Sequence, residues 1–251
     1  MIKTENLTKR FGPNMAVHPL NIEIAPGMFF CFLGPNGAGK TTTIKMLTGL
    51  LRPTSGRAIL GGYDIQVDPV STKRLLGYVP DSPFLYDKLT GREFMRFVAG
   101  LYQVPEADYQ KYCEALLAMF EIDKVADQLI EDYSHGMRQK LSFASCFLHD
   151  PKIVIVDEPW VGLDPKNIRF VKTFLKDRCR DNGLTVFMST HTLSIAEEIA
   201  DRIGIIHHGR LLYTGTVPEI KELHRNPGSL EDVFLDLTKT EAEEEEAELG
   251  T

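Results

Sequence analysis

An apolar run from Met28 to Leu33 leads into GPNGAGKTT at positions 34–42, and a helix-like stretch, IKMLTGLL, follows at once. That succession of strand, glycine-rich loop and helix points to an α/β fold in which a helix starts against the end of a buried strand. The spacing G-x-x-x-x-G-K-T is met by Gly34, Gly39, Lys40 and Thr41, with Gly37 as a further flexible position. Phosphate oxygens must approach backbone N–H groups closely, and residues without a Cβ let the chain wrap that tightly. The helix that starts near Lys40 directs its unsatisfied amides and its dipole at the same anion. The Lys40 ammonium reaches β- and γ-phosphates, and Thr41 offers an oxygen to Mg²⁺. ATP is the expected ligand, held by Gly34, Pro35, Asn36, Gly37, Ala38, Gly39, Lys40, Thr41 and Thr42.

A second acidic element belongs with this loop. KIVIVDEP places Asp157 and Glu158 at the C-terminal end of an apolar strand, where open α/β sheets gather their ligands. Asp157 suits the Mg²⁺ shell, and Glu158 is expected to orient or deprotonate the attacking water. The next strand, LTVFMST, ends at Thr190 and His191. An adjacent strand would bring that imidazole to the same sheet edge, near a γ-phosphate. His207 and His208 have no such setting and read as turn residues. In YSHGMRQKLSFA, Ser134, His135 and Gly136 open a helix and form another anion site of amides and hydroxyl. The phosphate loop of one chain grips its triphosphate from one side only, so a second chain could supply this helix end.

Antiparallel strands are expected in residues 1–27, where stretches such as NIEIAPG alternate with the turn residues Gly12, Pro13, Pro26 and Gly27. RAIL, LLGYV, KIVIVD, LTVFMST and RIGII read as further strands of a buried parallel sheet. From Asp87 the pattern turns helical: Thr90 and Glu93 fit a capping box before FMRFVAGLY, and EADYQKYCEALLAMFEI follows at helical spacing. Residues 216–224 and 229–238 read as two short closing helices. With 43% hydrophobic and 25% charged residues, the chain can bury one substantial core with lobes.

The net charge of −7 argues against a nucleic-acid partner, although much of it lies in the terminal TEAEEEEAELGT, expected to be a disordered, solubilising tail. No apolar stretch approaches the ~20 residues that cross a bilayer, and MIKTENLTKR lacks the apolar core of a secretion signal. The expected location is therefore cytosolic. Cys31, Cys113, Cys146 and Cys179 lack C-x-x-C spacing and read as packing residues.

Over about residues 1–238 the whole series resembles the nucleotide-binding subunit of ATP-binding cassette (ABC) transporters. GPNGAGKTT is similar to the Walker A loop, YSHGMRQ to the signature, IVIVDEP to the Walker B strand, GLD at Gly162 to Asp164 to the D-loop, and His191 to the switch histidine. Phe11, in KRFG, is similar to the aromatic that stacks on adenine. The resemblance implies an ABC ATPase fold: a P-loop NTPase core with a mostly parallel sheet, an N-terminal antiparallel β subdomain, and a helical subdomain inserted at about 87–150, with 239–251 left as the acidic tail. It further implies a head-to-tail pair, made with a second copy or a homologous subunit. Each ATP would lie between the Walker A loop of one chain and Ser134, His135, Gly136, Met137 and Asp164 of the other. An integral-membrane permease subunit completes the implied assembly and holds the chain at the cytoplasmic face of the membrane.

YSHGMRQKLS and SLEDVFLDLT are most similar to subunits of ABC-2 type exporters. Three positions depart from the wider family. Asp81 stands where a glutamine that touches Mg²⁺ and the membrane partner is usual, His135 replaces a signature glycine, and Trp160 occupies a position normally small and polar. A bulky indole there is expected to alter D-loop packing. Two other functions suit the same motifs. A non-transport ABC ATPase usually carries two cassettes or a long coiled coil, which this chain lacks, and a module that binds ATP without turnover would not need Glu158 and His191.

Overall fold

A computed structural model describes residues 1–160, 163–223, 230–235 and 237. Along the chain the strands are β1 (Ile2–Phe11), β2 (Asn14–Leu20), β3 (Glu23–Ile24), β4 (Phe29–Leu33), β5 (Ser55–Leu60), β6 (Tyr63–Asp64), β7 (Leu76–Val79), β8 (Ile153–Asp157), β9 (Thr185–Thr190), β10 (Arg202–His207) and β11 (Arg210–Gly215). The helices are α1 (Lys40–Leu47), α2 (Pro69–Leu75), α3 (Gly91–Leu101), α4 (Glu106–Met119), α5 (His135–Cys146), α6 (Pro165–Asn182), α7 (Leu193–Ile199) and α8 (Val217–Leu223).

Six strands form the central sheet in the order β11-β10-β4-β9-β8-β7. All pairings are parallel except β10 with β11. Every residue of β4, β8 and β9 is buried, as expected of parallel strands covered on both faces. The two-residue pleat sends Phe29, Cys31 and Leu33 into one core, shared with the helical segments, and Phe30 and Phe32 into another with Ile155 and Phe187.

The remaining strands form a second, antiparallel sheet, β2-β1-β5-β6, with β3 on β1. Here the expectation for RAIL is corrected: it lies in β5 and pairs antiparallel with β1, outside the parallel sheet. Its residues alternate in burial towards its end, whereas β4, β8 and β9 are buried throughout, because this sheet covers its core with one face only.

The helical segment opens as expected. Thr90 accepts from the Glu93 amide while the Glu93 carboxylate accepts from the Thr90 amide, so two orphan donors of α3 are satisfied reciprocally. At the other end of α3, the Tyr102 ring stacks on His149 with centroids 3.6 Å apart. The Tyr102 hydroxyl donates to the Leu76 carbonyl, 3.4 Å away, and His149 Nε2 lies 3.2 Å from the same oxygen. This contact ties α3, the segment after α5 and the edge strand β7 together, and burial pushes the His149 pKa down to about 4.

All four cysteines are free and buried. Of the two closing helices, the first is α8 and the second is helical at 230–235; the rest of the second, and the acidic tail, lie outside the described residues. Among the described residues no helix is long and apolar enough to cross a membrane.

Candidate functional site

The register of the central sheet assembles the first cleft. Leu33 pairs with Thr190 and Asp157 with Ser189, so the C-terminal ends of β4, β9 and β8 stand side by side. The phosphate loop, the acidic pair and His191 are thereby brought to one edge. The cleft holds about 360 Å³ and is lined by Pro35, Asn36, Gly37 and Gly39 to Thr42, together with Asp81, Glu158 and the segments Met15–Ala16 and His208–Gly209. Gly39 has φ 104°. A Cβ on it would stand 2.7 Å from the Ala16 carbonyl oxygen, so both the turn and the close approach to β2 require glycine.

Lys40 is only 6% exposed and is held by three oxygens. Its ammonium donates to the carbonyls of Gly34 at 2.7 Å and Pro35 at 3.1 Å, and faces Glu158 Oε1 as an ion pair at 3.2 Å. The other Glu158 oxygen lies 2.9 Å from His191 Nδ1. A carboxylate can only accept, so Nδ1 carries the hydrogen and donates to Oε2. The Glu158 amide is pinned in turn by the Ser189 hydroxyl at 3.1 Å, and Glu158 takes φ 43°. That left-handed conformation is costly for a residue with a Cβ and is maintained by its surroundings. A continuous chain of contacts thus runs from the phosphate-loop lysine through Glu158 to His191.

Asp157 is completely buried. Oδ1 accepts from the Ser189 hydroxyl at 2.5 Å, while Oδ2 has no partner. Burial raises the pKa of this carboxyl; the hydrogen bond from Ser189 and the nearby Thr41 hydroxyl oppose that shift, and the nearby charges of Asp81 and Glu158 add to it. A buried carboxylate oxygen without a partner, beside a threonine hydroxyl, fits a hard divalent cation that completes its shell with phosphate oxygens and water. Among the described residues no group of three or more His, Cys, Asp or Glu could hold a metal alone.

The other residues singled out from the sequence lie elsewhere. Ser134 caps α5, accepting from the Met137 amide at 3.3 Å, and Asp164 caps α6, accepting from the Asn167 amide at 3.0 Å. The hydrogen bond from the Asn167 amide holds the Asp164 carboxyl below its usual range. These two helix starts converge on a second cleft of about 410 Å³ lined by Ser134 to Met137, Lys140, Leu163, Asp164 and Asn167. Within one chain the two clefts share no lining residue. Gly162 of the GLD segment lies outside the described residues. Trp160 is buried in the larger core with Nε1 unpartnered, and its carbonyl accepts from the Leu163 amide at 3.2 Å. Phe11 does not line the first cleft. It is 50% exposed at the end of β1, with the Lys9 ammonium 5.0 Å from its ring centre. Met15, Ala16 and His208 do line it, and no motif marked them.

The family model described as ABC transporter matches residues 17–161. The chain belongs to the ABC transporter family. It is 36% identical over 226 residues to the bacitracin transport ATP-binding protein BcrA of Enterococcus faecalis, covering 90% of this chain and 72% of that protein. It is 32% identical to the ABC-type transporter ATP-binding protein EcsA of Bacillus subtilis, covering 96% and 98%. A solved ATP-binding subunit of an ABC transporter superposes with a TM-score of 0.90 at 30% identity, covering 95% of this chain and 99% of that one. A dimeric cassette, MJ0796, bound to ADP and Pi, has a TM-score of 0.78 at 24% identity and shares the fold. The ABC ATPase fold expected from the motifs is therefore the fold observed.

Proposed function

We propose that this chain hydrolyses ATP to energise export through a separate membrane-spanning permease of the ABC-2 type, working as a head-to-tail pair. The observation that carries this reading is the division of the anion-binding parts between two clefts. One is lined by the phosphate loop and Glu158, with Asp157 buried beside it and His191 bonded to Glu158; the other is lined by the capped starts of α5 and α6. Neither encloses a triphosphate alone, and a second chain, identical or homologous, supplies the missing half to each. BcrA and EcsA, being named transport or transporter ATP-binding proteins, support the transport role.

In this reading the triphosphate takes over Lys40 from the Gly34 and Pro35 carbonyls and from Glu158. Thr41 and Asp157 would hold Mg²⁺, with Asp81 nearby, and the ion when bound would screen the charge of the phosphate oxygens. Glu158, released from Lys40 and oriented by the His191 Nδ1–H, accepts a proton from the attacking water. Ser134, His135, Gly136, Met137 and Asp164 face the partner's nucleotide. Phe11 stacks on adenine from the hairpin that forms the cleft's outer wall. The permease docks around Asp81 to Tyr86, where Phe84 and Tyr86 are exposed. The expected location is the cytoplasmic face of the membrane.

The test is purification of the tagged full chain from detergent-solubilised membranes, with mass spectrometry of what accompanies it. A polytopic membrane protein present in stoichiometric amount is expected. Recovery of the chain from the soluble fraction alone, without a membrane partner, would overturn the transport reading.

A further inference from the structure

The turn between β10 and β11 reads from the sequence as a plain hairpin, yet it forms part of the nucleotide cleft. Its position is fixed from two sides. The Gly209 amide donates to the Ala38 carbonyl in the phosphate loop at 2.9 Å, and the His18 amide in β2 donates to the Gly209 carbonyl at 2.8 Å. A Cβ on Gly209 would stand 2.7 Å from the Ala16 carbonyl oxygen, so the turn lies directly on β2. Immediately before it, His208 is exposed and lines the cleft with Met15, Ala16, Asn36 and Gly37. Its backbone sits at φ 41°, and its ring meets the His207 ring edge to face with centroids 4.2 Å apart. A strained backbone and a neighbouring ring thus restrict the imidazole in a cleft that needs polar groups to recognise a ligand.

The position along the cleft indicates what the imidazole meets. Glu158, Asp157 and Asp81 mark the end where terminal phosphate chemistry occurs. Met15 and Ala16 continue from the hairpin where Phe11 pairs with Asn14 and Arg10 with Met15. In the central sheet β10 lies on one side of β4, whereas β8 and β7, which lead to Glu158 and Asp81, lie on the other, so the wall made by Met15, Ala16 and His208 stands across the phosphate loop from the acidic residues. We infer that His208 is a specificity contact to the nucleoside half of bound ATP, recognising ribose and base rather than the phosphates. An imidazole offers one donor and one acceptor to sugar hydroxyls, together with a flat apolar face. The inference rests on the first cleft being the ATP site, and it adds a contact that serves ATP and ADP alike, unlike one to the γ-phosphate.

The test is calorimetric titration of the full chain with ADP, ATP and inorganic tripolyphosphate in the presence of Mg²⁺, for wild type, His208→Gly and His208→Asn. Both substitutions accept the left-handed backbone, so a change reports the lost imidazole rather than strain. The ADP and ATP dissociation constants are expected to rise together by about threefold to tenfold, the size of one net hydrogen bond, while tripolyphosphate binding stays at the wild-type value. Unchanged ADP affinity in both variants overturns the inference, as does an equal loss for tripolyphosphate. Failure of the wild-type chain to bind either nucleotide overturns the underlying site assignment as well, and that outcome is distinguishable because it needs no variant.

Discussion

Replacing Glu158 by Gln removes one charge and keeps the shape of the side chain, so it separates the two tasks assigned to this residue. Its Oε1 lies 3.2 Å from Lys40 Nζ. At an effective dielectric of ~20, unit charges at that separation attract by about 5 kcal/mol gross, most of which the desolvation of both ions offsets. Lys40 keeps the Gly34 and Pro35 carbonyls as acceptors, so the net cost to the free chain is about 1–2 kcal/mol. In a chain of this size each kcal/mol lowers the melting temperature by about 2–4 °C. The triphosphate supplies the missing anion, so saturating ATP is expected to raise the melting temperature further in Glu158→Gln than in wild type. An amide cannot take the proton of the attacking water, and loss of a general base lowers turnover by about 10² to 10⁴. Phosphate release at saturating Mg²⁺ and ATP, thermal melts with and without nucleotide, and sedimentation velocity read these effects. The variant is expected to bind ATP, turn it over little and sediment as a closed dimer. Wild-type turnover in this variant would refute the catalytic role. An ATP-induced stabilisation equal to that of wild type would refute the displacement of Lys40 from Glu158.

Three further outcomes follow from named contacts. Phe11→Ala is expected to weaken ATP and ADP binding by ~1–3 kcal/mol, the scale for bases stacked on aromatic rings, whereas unaltered affinity would leave Phe11 as a surface residue of its hairpin. His149 is held neutral by burial, with its pKa moved from 6.5 to about 4, so below pH 6.5 the unfolded chain binds the extra proton and the folded chain does not. Stability is then complete above about pH 6.5 and falls towards pH 4 by at most about 3 kcal/mol; denaturant titrations should show a flatter pH dependence in His149→Gln, and identical slopes would remove His149 as the cause. Thr90→Ala deletes one half of the capping box of α3 and should cost about 1 kcal/mol in the same titrations, with no loss expected if the cap is not formed in solution.

Local chemistry made much of this molecule legible in its sequence, and the pairing of distant segments hid the rest. The Thr90–Glu93 box and the Ser134 cap could be read because their residues act on backbone groups within three positions of themselves, and the phosphate loop because its glycines and Lys40 lie within one short segment. The acidic pair and His191 could be read because both end apolar strands, and parallel strands bring their C-terminal ends to one edge. RAIL misled because an apolar run of four does not say which sheet it joins; the pairing of β5 with β1 crosses some fifty residues and leaves one face less covered. His208 was passed over for the same reason. Nothing within the turn marks it, and it reaches the cleft only because β10 lies beside β4 and Gly209 bonds to Ala38. Through that bond, and the one from the His18 amide to the Gly209 carbonyl, the phosphate loop, the turn that carries His208 and β2 form one connected piece of backbone, so the place of this imidazole in the cleft is set by three segments far apart in sequence.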